Sequence, residues 1–258
     1  MNNFKLSFSD LKQKVLVSRD EQQLLQAFKI LEGNDRLCLL EQIRDAKLTK
    51  QDLDILSGRK DGLELFHQKL YVEKDWNEPQ WQVFFEKNTW IFGYGLDYRF
   101  LSILQREAAV SSSDIDGKNT TNSDFLLGST DFTVLVELKR PDTSLFEATK
   151  NRSRSWKLSN DIVDAVSQIL AQKAAWEIKS AQDCYTAGGN LINQRTSDPK
   201  CILIVGGRTQ FDDNQRDQDI KLRTFELFRR DSRNIEILTY DELYERAYYI
   251  VNQELPCS

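Results

Sequence analysis

The stretch "SDFLLGSTDFTVLVELKRPD", Ser123 to Asp142, constrains the fold more than any other part of this chain. Two apolar runs, Phe125 to Leu127 and Phe132 to Leu138, are joined by the glycine-containing "GSTD", a hairpin-length connection. An acid, Asp124, heads the first run, and the second closes on Glu137, Leu138, Lys139, Arg140 and Pro141. Proline cannot donate to a ladder, so the chain must leave the sheet there. Period-2 alternation puts Thr133, Leu135, Glu137 and Lys139 on one face of the second strand, with Phe132, Val134, Val136 and Leu138 on the other. Glu137 and Lys139 therefore project side by side. Asp124 reaches the same face if the hairpin closes through Gly128.

The surrounding pattern sets this hairpin in an α/β frame. Asn77 caps a helix with Glu78 and Pro79 in its first turn, and Trp81, Phe84 and Phe85 form its apolar face. "RFLSILQREAAV" reads as a strand through Leu101, Ile103 and Leu104, and "SSSDIDGKNTTNS" as an exposed loop. Ser159 caps a long amphipathic helix with Ile162, Ala165, Val166, Ile169 and Leu170 inward. "KCILIVGGR" is a buried strand, "FDDNQRDQDIKLRTFELFRR" becomes helical, and "IEILTYDELYERAYYIV" gives a last strand and a helix capped by Thr239 or Asp241. The order predicts an α/β sandwich, a mixed sheet flanked by helices. Residues 1–70 read as a separate helical accessory domain, with Leu24, Leu25, Phe28 and Leu31 at helical spacing, and residues 71–258 as the chemistry-bearing domain.

Composition removes several function classes. The single histidine, His67, excludes any site that needs two, and it reads as a partly exposed helical residue. Cys38, Cys184, Cys201 and Cys257 are scattered without a CxxC pair, which points to reduced thiols in a cytoplasmic protein. No apolar run is long enough to span a membrane, and the N-terminus lacks a signal-peptide core. A net charge of −5 argues against non-specific coating of nucleic acid but leaves room for a local basic groove, such as "KNRSRSWK".

Two carboxylates close together, with no histidine or cysteine, suit a hard cation, Mg²⁺ or Mn²⁺. Phosphodiester cleavage needs a water activated near the cation and stabilisation of charge on the phosphorane oxygens. Lys139, flanked by acids, is suited to the second task. An acid-x-lysine triplet is weak by itself, since others occur at Asp10–Lys12 and Asp116–Lys118. The residues alone leave two readings open, a metal-nuclease site and ordinary edge-strand charges at a turn.

The combination "SDFLLGS…TVLVELKRP" resembles the signature of the PD-(D/E)XK nuclease superfamily, and more closely the Shedu-type anti-phage defence nucleases. "EPQWQVFFEKNTWIFG", "AVSQILAQK" and "IEILTYDELYERA" extend the resemblance over about residues 70–250. It implies a restriction-endonuclease-like core in a bacterial protein that nicks or cleaves double-stranded DNA in phage defence, as a homo-oligomer for which a tetramer is plausible. It implies Asp124 and Glu137 as metal ligands with the Leu138 carbonyl, and Lys139 as the catalytic lysine. Glu78 becomes the acid of the first core helix, or else an ordinary first-turn acid. Gln168 becomes the polar residue that the following helix turns to the site, or else an exposed amide. Arg140, Arg152, Arg154 and Lys157 are placed to contact phosphates, with Trp156 packing or stacking beside them. Ser123 stands where the superfamily pattern has proline. A non-catalytic binding module on a degenerate nuclease fold is the competing reading.

Overall fold

A computed structural model describes residues 50–92, 102–111, 122–128, 132–193 and 195–252. The helical runs expected before residue 50, the polar loop at 112–120 and the turn joining the two site strands lie outside these residues. The chain divides into Met1–Gly58 and Arg59–Ser258. The division falls earlier than the expected boundary at residue 70, and Leu63, Phe66 and Leu70 belong to the core of the second unit.

Helix α1, Lys50–His67, runs into a π-helical turn, Gln68–Glu73, which ends at Lys74 with φ 54°. Helix α2, Glu78–Lys87, starts where the sequence places it. The Asn77 side chain accepts the Gln80 N–H, and the Gln80 side chain accepts the Asn77 N–H. This reciprocal box satisfies two donors that every helix start leaves open. Trp81, Phe84 and Phe85 are then buried, ring against ring with Phe66.

Five strands form the sheet: β1 Ser102–Ala109, β2 Asn122–Gly128, β3 Phe132–Leu138, β6 Arg195–Ile204 and β7 Ile235–Leu238. Their spatial order is β1-β2-β3-β6-β7, antiparallel from β1 to β3 and parallel from β3 to β7. Parallel neighbours need crossovers. The first contains a small hairpin, β4 Phe146–Lys150 with β5 Trp156–Leu158, and then helix α3, Asn160–Lys179. The second contains helix α4, Gln215–Asp231. Helix α5, Tyr240–Asn252, follows β7 and is capped by Thr239, whose Oγ1 accepts the Glu242 N–H while Glu242 accepts the Thr239 N–H.

Both faces of the sheet are covered, so a mixed α/β sandwich with helices on each side is the observed architecture. Val134, Val136 and Leu138 pack with Trp81, Phe85, Tyr240 and Leu243. Leu135, on the opposite face, packs with Ile162, Ile169, Trp176 and Leu203. Three readings are corrected. The β4–β5 hairpin was not expected, because its strands are short and carry charges at three of their eight positions. Leu170 of α3 is 45% exposed, since it falls just outside the buried stripe of Ile162, Ala165 and Ile169. The edge-strand reading of Glu137 fails: β3 is the central strand and Glu137 is 2% exposed.

Candidate functional site

The β2–β3 ladder supplies the geometry. Its Cα pairs run from Gly128–Thr133 to Phe125–Val136. Beyond that last pair the Asp124 side chain takes over from main chain, its Oδ2 accepting the Leu138 N–H at 2.6 Å. Ser123, buried where the resembled pattern has proline, donates its hydroxyl to the Val136 carbonyl at 3.1 Å. The first acid is therefore tied to the exit of β3 by its own carboxylate.

Two amides complete the arrangement. Gln82 Nε2 donates to Asp124 Oδ1 at 2.6 Å, and Gln172 Nε2 donates to Glu137 Oε2 at 2.8 Å. The other Glu137 oxygen accepts Lys139 Nζ at 2.7 Å. Gln172 also donates to the Asn122 carbonyl at 2.8 Å, which links helix α3 to the start of β2. Both amides are nearly inaccessible, Gln82 at 6% and Gln172 at 0%. Gln82 lies one turn beyond Glu78 on the same side of α2.

The electrostatics follow from this crowding. Burial, and then the charge of Glu137, push the Asp124 carboxyl up to about 7. Burial also raises Glu78, which lies within the field of Lys139, Glu137 and Arg140. Burial alone pulls the Lys139 ammonium down, but its hydrogen bond to Glu137 and the nearby acids hold it above its usual value. The ammonium form of Lys139 is therefore favoured here.

Asp124, Glu137, Lys139 and the Leu138 main chain come together, with Glu78 close enough to perturb them. Gln168 does not join them: it is exposed, and the α3 amide that meets Glu137 is Gln172, one turn on. Gln82 and Gln172 were missed, because each is an ordinary helical amide until the fold brings a carboxylate against it. Arg140 lies just past Lys139, exposed and paired with Asp142 at 2.6 Å. Arg152 and Arg154 occupy the tip of the β4–β5 hairpin, Arg154 with φ 66°, and Lys157 lies exposed on β5. Trp156 packs between Lys150 and Lys221, with each ammonium over its ring at 5.3 and 4.9 Å. His67 is exposed, and its ring lies tilted against Tyr71 and Tyr244.

The donor set fits a hard divalent cation. Each oxygen of Asp124 and Glu137 accepts one N–H, leaving lone pairs on a carboxylate that has about four acceptor positions. The Gln172 Oε1 is buried without a partner beside them, an acceptor in want of a donor or a cation. Among the described residues no three His, Cys, Asp or Glu side chains are grouped closely enough to chelate a metal by themselves. A cation here would thus rest on Asp124 and Glu137 with backbone and water oxygens. Cys184 and Cys201 are free thiols, and burial pushes Cys201 up to about 12. No described helix is long and apolar enough to cross a membrane.

Sequence comparison gives this geometry a family. The Shedu protein SduA of Bacillus cereus (strain B4264) is 26% identical to this chain over 175 residues, which is 66% of the chain and 44% of the relative. The chain thus matches less than half the length of that relative. The family described as "Shedu protein SduA, C-terminal" matches residues 75–244, a span that contains Glu78, Gln82, Asp124, Glu137, Lys139 and Gln172. With most of its length matched in this way, the chain belongs to the Shedu SduA C-terminal family.

Proposed function

We propose that this protein is a divalent-metal-dependent DNA endonuclease on a PD-(D/E)XK core, acting in anti-phage defence as a homo-oligomer. The observation that carries the reading is the half-buried Asp124 near the start of β2 set beside the buried Glu137 at the end of the central strand β3. An ordinary surface ion pair needs neither burial nor a second acid, and burying two like charges is costly unless a cation offsets them.

Asp124, Glu137 and the Leu138 carbonyl would hold Mg²⁺ or Mn²⁺, which supplies Lewis acidity and a more acidic bound water. Gln82 and Gln172 fix the rotamers of the two carboxylates. Lys139, held protonated by Glu137, presents positive charge where a phosphate would gain negative charge. Glu78, whose carboxyl is raised by burial, would accept a proton from the attacking water. Arg140, Arg152, Arg154 and Lys157 provide cations along the path leaving the site.

Supercoiled plasmid incubated with Mn²⁺ should be converted to nicked or linear form, and EDTA should stop the conversion. Lys139→Ala should slow it by a factor of roughly 10² or more, the scale of losing one transition-state charge contact. Parent-like nicking by Lys139→Ala would sink the assignment of this site. Metal-independent DNA affinity without any cleavage would instead favour a binding module on a degenerate nuclease fold.

A further inference from the structure

The small polar residues at the tip of the β4–β5 hairpin are engaged within the turn itself. The Asn151 N–H donates to the Ser155 carbonyl at 2.9 Å, and the Arg154 N–H to the Asn151 carbonyl at 3.0 Å. Asn151 Oδ1 accepts the Ser155 N–H at 3.1 Å and the Ser153 hydroxyl at 2.6 Å. These bonds hold Arg154 at φ 66°, a region where glycine or asparagine is the usual occupant. The hairpin is also fixed against helix α4. Lys150 pairs with Asp217, and the Lys221 ammonium lies over the Trp156 ring at 4.9 Å. A rigid turn thus carries an arginine where the backbone disfavours one, which points to a use for the side chain itself.

Between this turn and α4 lies an open cleft of about 400 Å³, lined by Lys150 and Arg154 on one side and Asn214, Arg216, Asp217 and Ile220 on the other. Its acid is engaged: Asp217 Oδ1 accepts Lys150 Nζ, and Oδ2 accepts the Asn214 amide at 3.2 Å. Arg154 and Arg216 are exposed, and among the described residues neither lies within ion-pair distance of a carboxylate. Further along α4 the pattern reverses, with Lys221 paired to Asp213 and both Arg229 and Arg230 to Glu226. Like charges that line one cleft repel unless an anion lies between them. Two guanidinium forks suit the oxygens of a phosphate, and arginine does not lose its charge at any ordinary pH.

We propose that Arg154 and Arg216 form a seat for one phosphate of a DNA duplex backbone, an anchor that grips without the metal and without reading sequence. The choice of DNA rests on the nuclease reading, whereas Arg216 and the cleft go beyond it. An acidic polypeptide offers the competing anion, as carboxylates, and is tested beside DNA.

The full chain is titrated in EDTA with a short fluorescein-labelled duplex over a series of salt concentrations, and separately with polyglutamate. A double variant, Arg154→Gln with Arg216→Gln, removes both forks from exposed positions. Arg223→Gln removes the same charge from an exposed position of α4 outside the cleft. The double variant should bind the duplex about tenfold more weakly, the scale of losing a charge-assisted contact. Its plot of log K against log salt should be shallower by about 1, as expected for one phosphate fewer. Arg223→Gln should bind like the parent. An equal loss in Arg223→Gln would mean that only overall charge matters, and overturns the seat. Polyglutamate held through the two arginines, with duplex binding unmoved by their loss, overturns the choice of DNA. Seat-dependent duplex binding by a parent that never cuts plasmid overturns the nuclease reading alone. Cleavage by the parent, with parent-like duplex binding by the double variant, overturns the seat alone.

Discussion

Asp124 carries the largest electrostatic load among the site residues. An unfolded chain releases its proton near 3.8, whereas the folded chain retains it up to about 7, because burial and Glu137 oppose a second negative charge. Between those values the folded state binds more protons than the unfolded state, so stability falls as pH rises through that window. The expected loss is on the order of 1–3 kcal/mol, shared across the coupled pair. Asp124→Asn removes the charge, and a flip of the Gln82 amide restores its hydrogen bond. Thermal melts should therefore show this variant more stable than the parent at pH 8 and equal to it near pH 4. Mn²⁺ should raise the parent's melting temperature more at pH 8 than at pH 5, and should leave Asp124→Asn nearly unmoved at both. A parent whose melting temperature is flat from pH 4 to pH 8 would contradict the strained pair.

At the scale of elements, α2 and β3 matter most because each delivers two groups to one place. The Asn77–Gln80 box holds the first turn of α2, where Glu78 sits. Asn77→Ala should lower stability by about 1 kcal/mol, read from a shift in the urea midpoint at constant m. Strands and helices were legible where an apolar run or a capping residue marks them: β3 at Phe132–Leu138, the cap at Asn77, the cap at Ser159. The acid pair was legible for the same reason, since Asp124 and Glu137 end apolar runs. The amides were not. Gln82 and Gln172 are ordinary helix residues until the neighbouring strand brings a carboxylate against each, and no local pattern distinguishes Gln172 from Gln168 one turn earlier. The β4–β5 hairpin was hidden likewise, because strands of five and three residues do not give a readable period.

For the second unit as a whole, two cores flank one sheet, and aromatic packing dominates the first. Phe66 touches Trp81, Phe84, Phe85 and Tyr244, with centroids 5.3 to 5.6 Å apart, and is completely buried. It sits on α1, ahead of the region matched to the Shedu family, yet fills the space beneath α2 and α5. Phe66→Ala should cost about 3–5 kcal/mol, and denaturant unfolding should show it as a much lower midpoint. A cost below 1 kcal/mol would mean that α1 contributes little to this core. The match therefore under-reports how much chain the fold requires.

The sheet's mixed pairing also orders events in time. Asp124 and Glu137 lie on neighbouring strands of one hairpin, whose closure is local and takes microseconds. Dehydration of that hairpin waits on the distant pairing of β3 with β6 and on the docking of α3 through Gln172. Contacts so far apart along the chain form late. A nascent chain thus presents both acids to water before it encloses them, and any ion they hold can be captured at that stage instead of threading into a finished interior.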